Sequence, residues 1–196
     1  TQVYSNTGGQ ASTASYMGQN AQMSAHGSAQ GGKSENRKEF AQIVAMHPNV
    51  FVAQTTCAHI NHFYKAVMRA NEYQGPSVII VYTTCQPEHG VGDHLASEQA
   101  RLAVDTRTYP LFVHDPEGGD LLAERISLKG NPRPEEDWNT NPKTGEAEDF
   151  VTFARSERRF AKHFDTDGSP SELLKRSRDN RLKNWHLLQD LAGISR

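Results

Sequence analysis

The chain has 196 residues, 36% hydrophobic and 22% charged, with a formal net charge of −2. That suffices for one domain with its own core and an appended C-terminal piece, and near-neutral charge argues against a nucleic-acid partner. No apolar run reaches membrane-spanning length, so no membrane partner is expected, and the N-terminus lacks the basic and apolar regions of a signal peptide.

Two cysteines, Cys57 and Cys85, make no disulfide framework and point to a reducing cytoplasm. The chain opens on Thr1 and its first charged residue is Lys33, as expected of a stretch cut from something longer.

Residues 8–34 are rich in Gly, Ser, Ala and Gln, the composition of a flexible or irregular segment. A helix is predicted over 34–46, with Ser34 as its cap and Phe40, Ile43 and Val44 on one face. Val50-Phe51-Val52-Ala53 is a buried strand. Residues 59–73 form a second helix, with Ile60, Phe63, Tyr64, Val67 and Met68 as its apolar stripe. Gly75-Pro76 then turns into Val78-Ile79-Ile80-Val81-Tyr82, the clearest buried strand in the chain.

A helix over 95–104 and a strand at Tyr109-Pro110-Leu111-Phe112-Val113 follow. The order predicts an α/β fold, a parallel sheet flanked by helices. Residues 1–116 make up this part, and 117–147 an irregular surface connection holding Pro132, Pro134 and Pro142. Residues 148–196 are a C-terminal helical extension, with helices over 148–163 and 169–192. The second starts at Ser169-Pro170. Ligands of such sheets bind beyond the carboxyl ends of strands, where 1–9 and 83–89 are expected.

Thr1-Gln2-Val3-Tyr4-Ser5-Asn6-Thr7-Gly8-Gly9-Gln10 carries no charged side chain. Its hydroxyls, amide and glycines suit a loop that approaches an anion or a bound cation, and equally an ordinary turn. Cys57, His59 and His62 are three zinc-type ligands where a structural site needs four, so a helix start beside a cleft is the better reading. Asp165-x-Asp167-Gly168 lacks the remaining acids of a calcium loop and reads as a turn. His89 either lines a site or is a satisfied loop histidine. Leu173, Leu174, Leu182, Trp185, Leu188 and Leu191 give the last helix an apolar side for packing on this domain or a partner.

Asn6-Thr7-Gly8-Gly9-Gln10, preceded by Thr1-x-Val3-Tyr4-Ser5, resembles the thiamine-diphosphate loop of the pyruvate:ferredoxin (flavodoxin) oxidoreductases. Gly75-Pro76-Ser77-Val78-Ile79-Ile80 with Tyr82-Thr83-Thr84-Cys85 and His89-Gly90 is similar to that family's strand and cysteine loop. Tyr109-Pro110-Leu111-Phe112 with Asp115-Pro116 matches the strand after it, and 181–193 resembles the C-terminal end of some members. Nothing in 117–147 aligns.

The resemblance implies the C-terminal thiamine-diphosphate-binding domain of an enzyme that converts pyruvate and coenzyme A to acetyl-CoA and carbon dioxide. Electrons would pass through [4Fe–4S] clusters to ferredoxin or flavodoxin. It further implies a homodimer with upstream domains of the same enzyme as partners. Thiamine diphosphate and Mg²⁺ would be held by Thr1, Gln2, Val3, Tyr4, Ser5 and Asn6. Here Thr1 (hydroxyl) and Val3 (carbonyl) are the Mg²⁺ ligands and Asn6 the catalytic residue facing the substrate carboxylate. Gln2 stands where many members have Glu. Cys85 would be one ligand of a [4Fe–4S] cluster. The Gly-Asp-Gly element and the acid that activates the aminopyrimidine are missing, so the stretch alone is expected to be inactive. The rivals are another 2-oxo acid oxidoreductase or thiamine enzyme, and a non-catalytic assembly subunit.

Overall fold

The computed structural model describes residues 13–20 and 31–196 in full, and Val3–Tyr4 and Gln10–Ala11 by their backbone. These last two pairs are β1 and β2, joined antiparallel with Val3 opposite Ala11 and Tyr4 opposite Gln10. The main sheet has the order β4-β3-β5-β6, from Ser77–Tyr82 (β4), Phe51–Thr56 (β3), Phe112–His114 (β5) and Ile126–Ser127 (β6).

The expected α/β sheet flanked by helices is present, and its strand directions are mixed. β3 and β4 run parallel, from Phe51 opposite Ser77 to Thr56 opposite Tyr82, linked by the helix α2 (Ile60–Glu72). β5 pairs antiparallel with β3, and β6 antiparallel with β5. The cause lies in α4 (Ala96–Asp105), which does not carry the chain back across the sheet. Tyr109 stays at the carboxyl end, its ring 5.2 Å from that of Tyr82, so β5 enters beside Gln54 and runs down toward Val52.

Side chains alternate between the two faces of β3. Val52 joins Phe112, Ile126, Leu128, Trp185 and Leu188 under α1 (Phe40–Ala45) and α7 (Glu172–Leu191). Phe51 and Ala53 face α2, with Ala66, Tyr73 and Ile79. A third cluster lies beyond the sheet's end. There Tyr16, Tyr82 and Tyr109 meet Ala100 and Ala103 of α4 and Phe150 and Phe153 of α6 (Phe150–Arg155).

Three expected elements differ, each for a tertiary reason. The helix predicted from residue 34 begins only at Phe40, because Lys38 N–H donates to Thr13 O (2.9 Å) and Arg37 to the Tyr16 hydroxyl (2.8 Å). The helix predicted over 148–163 breaks after Arg155, where Glu157 turns into the interior, and resumes as a 3-10 turn at Arg158–His163. The cap of α7 is Ser171, whose hydroxyl accepts from Leu174 N–H (3.4 Å), two residues past the expected Ser169.

Residues 13–20 are largely buried despite their composition. The 117–147 stretch holds α5 (Leu122–Arg125), β6 and a small hairpin of β7 (Asn139–Thr140) and β8 (Ala147–Glu148). Among the described residues no helix is long and apolar enough to cross a membrane.

Candidate functional site

The carboxyl ends of the parallel pair carry both cysteines. Cys57 follows β3, is exposed, and donates its N–H to Tyr82 O (3.4 Å). Cys85 follows β4 by three residues and is half-buried at the start of the four-residue helix α3 (Gln86–His89). This turn is closed by His89 N–H to Cys85 O and Gly90 N–H to Gln86 O, both 2.8 Å. Gly90 has φ +67 and packs against Arg158 so closely that a Cβ would collide with its side chain. The cysteine turn therefore stands where open α/β sheets bind their ligands.

Of the residues expected to bind thiamine diphosphate and Mg²⁺, Thr1, Gln2, Ser5 and Asn6 lie outside the described residues. Val3 and Tyr4 form β1, and their partners in β2 bracket the 5–9 stretch in the sequence.

Behind the cysteine turn lies a buried polar network that sequence reasoning missed. The Glu157 carboxylate accepts from Arg159 Nε (2.5 Å), Gln99 Nε2 (2.9 Å) and the hydroxyl of Tyr82 (3.2 Å), the last residue of β4. Arg159 Nη1 donates onward to Gln19 Oε1 (2.8 Å), and Arg159 O accepts from Asn20 N–H. His89 Nδ1 lies 3.7 Å from Glu157, and among the described residues neither ring nitrogen has a hydrogen-bond partner. Burial and the nearby Arg159 charge push the His89 imidazole down to about 2, so it is neutral. Burial pushes the Glu157 carboxyl up, against the pull of Arg159.

A second polar cluster surrounds Tyr16. Its hydroxyl accepts from Arg37 and donates to Thr108 O (3.0 Å), while Glu39 pairs with both Arg37 and Arg181. Two signals were present: Tyr16 is the single Phe, Trp or Tyr in 8–34, and 155–159 holds four charges in five residues. Locally, a charge run reads as a solvated face, and neither signal names its partner.

The other candidates resolve simply. His59 Nδ1 bonds the Thr56 hydroxyl (2.7 Å) and His62 Nδ1 that of Thr55 (2.9 Å), which fastens the start of α2 to the end of β3. Burial, with His59 and Lys65 nearby, lowers the His62 imidazole to about 4. Among the described residues no three His, Cys, Asp or Glu come together as a metal site. α2 does border a cleft, of about 370 Å³, lined by Phe51, His62, Lys65, Arg69, Val113 and Lys129. Arg69 is clamped there by Asp115 (2.6 and 3.0 Å) and Glu117. Asp165 and Asp167 form a turn, with Gly168 N–H to Asp165 O (2.9 Å) and Ser169 N–H to Asp167 Oδ1 (2.9 Å).

No family model matches the chain. It is 38% identical over 133 residues, 67% of its length, to the probable pyruvate-flavodoxin oxidoreductase of Escherichia coli strain K12. All of it aligns, at 32% identity, with the pyruvate-flavodoxin oxidoreductase of Rhodospirillum rubrum. A pyruvate:ferredoxin oxidoreductase of Moorella thermoacetica is 35% identical over 118 residues, 60% of the chain. The chain spans only 11%, 15% and 10% of the lengths of these three relatives. It is thus homologous to one portion of the pyruvate-flavodoxin and pyruvate:ferredoxin oxidoreductases.

Proposed function

We propose that the chain is the C-terminal portion of the thiamine-diphosphate-binding domain of a pyruvate:ferredoxin or flavodoxin oxidoreductase, acting in the cytoplasm. The complete enzyme would convert pyruvate and coenzyme A to acetyl-CoA and carbon dioxide, releasing two electrons and one proton. The electrons would leave through [4Fe–4S] clusters. The observation that carries this reading is Cys85, half-buried at the carboxyl end of β4 in a chain that aligns along its whole length with the Rhodospirillum rubrum protein.

The donor sets fit the groups in part. A cluster takes about four thiolates. Cys85 would supply one, and the others would have to come largely from outside this chain, which holds one further cysteine, Cys57. The uncharged 1–6 stretch offers hydroxyl, carbonyl and amide oxygens, the hard donors that Mg²⁺ takes. Thr1 and Val3 would hold the cation. Ser5 and Asn6 would face the diphosphate, along the backbone of Gln2 and Tyr4. Thiamine diphosphate supplies the electron sink for decarboxylation. Asn6 would donate to the oxygen on which negative charge grows, and Cys85 would fix the acceptor close by.

The test uses the full-length protein. Cys85→Ser is expected to remove about four iron atoms per protomer and one signal from the reduced electron paramagnetic resonance spectrum. Unchanged iron and an unchanged spectrum refute the ligand assignment. Asn6→Ala is expected to lower kcat roughly 10²–10³-fold with thiamine binding retained. An unchanged kcat removes Asn6 from the reaction.

A further inference from the structure

Glu157, Arg158 and Arg159, consecutive in the chain, grip the cysteine turn from both sides. Before Cys85, the Tyr82 hydroxyl at the end of β4 donates to Glu157 Oε1 (3.2 Å). After Cys85, the His89 ring lies 3.7 Å from the same carboxylate, and Gly90 leaves no room for a Cβ against the Arg158 side chain. Arg159 Nε and Gln99 Nε2 of α4 also donate to Glu157 (2.5 and 2.9 Å). The gripping residues are themselves held. Ser156 Oγ lies 2.9 Å from Gln99 Oε1 and 2.7 Å from Phe153 O, Glu157 N–H donates to Ala154 O (3.2 Å), and Phe160 is fully buried.

The far end of the Arg159 guanidinium reaches a distant part of the chain. Arg159 Nη1 donates to Gln19 Oε1 (2.8 Å), and Arg159 O accepts from Asn20 N–H (3.2 Å). Residues 13–20 follow β2 in the chain and are tied into a compact knot. Lys33 Nζ donates to Thr13 O (3.1 Å) and Ser15 O (2.8 Å), Gly18 N–H to Lys33 O (2.7 Å), and Lys33 N–H to Gln19 O (3.1 Å). Gln19, Glu157 and Arg159 are all buried. A buried ion pair adds little stability that apolar side chains of the same volume would not add as well. What it supplies is direction, because each of its bonds holds only over a narrow range of distance and angle.

We infer that Glu157 and Arg159 are positioning residues, which fix the Cys85 turn relative to residues 13–20 and make Cys85 answer to movement of that segment. The inference rests on the reading of Cys85 as a cluster ligand. Groups that orient a metal ligand without touching the metal change affinity or activity by about 10–100-fold when they are removed. Residues 13–20 come after the stretch expected to hold thiamine diphosphate, so one buried pair links the chain leaving that stretch to the expected cluster ligand. Gln19 is the lever that tests it. Among the described residues Gln19 bonds Arg159 and has no hydrogen bond to the cysteine turn.

The experiment uses the full-length protein with its clusters and the variants Gln19→Met, Arg159→Lys and the two combined. Gln19→Met keeps the length of the side chain and removes the acceptor. Each single variant is expected to keep its iron and to shift or broaden the paramagnetic resonance signal that Cys85→Ser removes. In each, kcat should fall about 10–100-fold with KM for pyruvate held. The combined variant should fall no further than Arg159→Lys, because both substitutions act along one path. A pair that only stabilised the fold would lower the melting temperature and leave the signal of the folded protein as it was. An unchanged signal therefore overturns the inference, whatever happens to stability or iron content, and so does additivity of the two substitutions. If Cys85→Ser leaves iron and spectrum intact, the ligand reading fails and Cys85 is a thiol. Its alkylation by iodoacetamide then reads the turn: Gln19→Met should speed it severalfold, and an unchanged rate overturns the positioning role.

Discussion

Glu157 is a carboxylate taken wholly out of water, with one guanidinium, one amide and one phenol to replace its hydration. Removing one partner of a buried pair costs about 3–5 kcal/mol because the other charge stays behind. Arg159→Met is therefore expected to cost that much in urea unfolding, and Arg159→Met with Glu157→Gln to recover most of it. Equal losses in the single and double variants refute the pairing. His89 contributes to the pH dependence on the acid side, together with His62, whose imidazole is also lowered, to about 4. The native His89 imidazole is held down to about 2, whereas the unfolded chain protonates near the ordinary 6.5. Below pH 6.5 the unfolded state takes up a proton that the native state refuses, and stability falls by about 1.4 kcal/mol per pH unit. His89→Leu should take about 1.4 kcal/mol per pH unit off the measured slope, and an unchanged slope refutes it. Asp105 has the opposite sign. Burial and Glu148 raise it from 3.8 to about 6, so the native state keeps a proton that the unfolded state loses. Its contribution is complete below about pH 3.8 and is lost as pH rises through about 6. Asp105→Asn should abolish that loss in denaturant titrations at pH 4 and pH 8, and a persisting loss rules Asp105 out as its source.

At the scale of elements, hydrophobic pattern located β3, α2, β4 and α4, because apolar spacing and turn residues there are local signals. The beginning of α1 was not legible, since Lys38 N–H is diverted to Thr13 O by contacts that no window of sequence contains. The break at residue 156 was hidden likewise: Ser156 bonds Gln99 from another helix. The cysteine turn was legible as a loop after β4, but its close fit was not. Gly90 and Gly145 both have positive φ, +67 and +73, and they differ in surroundings: a Cβ at Gly90 would meet Arg158, and one at Gly145 would meet nothing within 4 Å among the described residues. Gly145→Ala should carry only the backbone penalty, about 1 kcal/mol. Gly90→Ala should cost clearly more and should speed alkylation of Cys85 by iodoacetamide. Equal costs, or an unchanged alkylation rate, would show that the Arg158 contact does not hold the turn.

On the scale of the whole molecule, distant pieces are tied together by arginines that take part in the core. Arg37, Arg159 and Arg181 stand 4.9, 5.7 and 5.8 Å from the ring of Tyr16, so a segment of linker-like composition is held from three directions. Composition sees only the small residues of 8–34. What orders 13–20 lies elsewhere in the chain, so sequence could locate the loop that carries Cys85 but not the Glu157 network behind it. The C-terminal helix is tied in the same way. Trp185 Nε1 donates to Glu136 O (2.8 Å) and Gln189 Nε2 to Pro134 O (2.9 Å). Arg107 lies 4.2 Å from the Trp185 ring and donates to Arg133 O (2.9 Å). Because Trp185 also packs with Val52 and Phe112 of the sheet, helix, strap and sheet should melt as one unit. Trp138→Phe leaves Trp185 as the one tryptophan reporter. Its fluorescence and the far-UV circular dichroism of the chain should then give coincident thermal transitions. A Trp185 transition that precedes the loss of sheet signal would make α7 and the 131–137 strap a separate unit, despite the core they share.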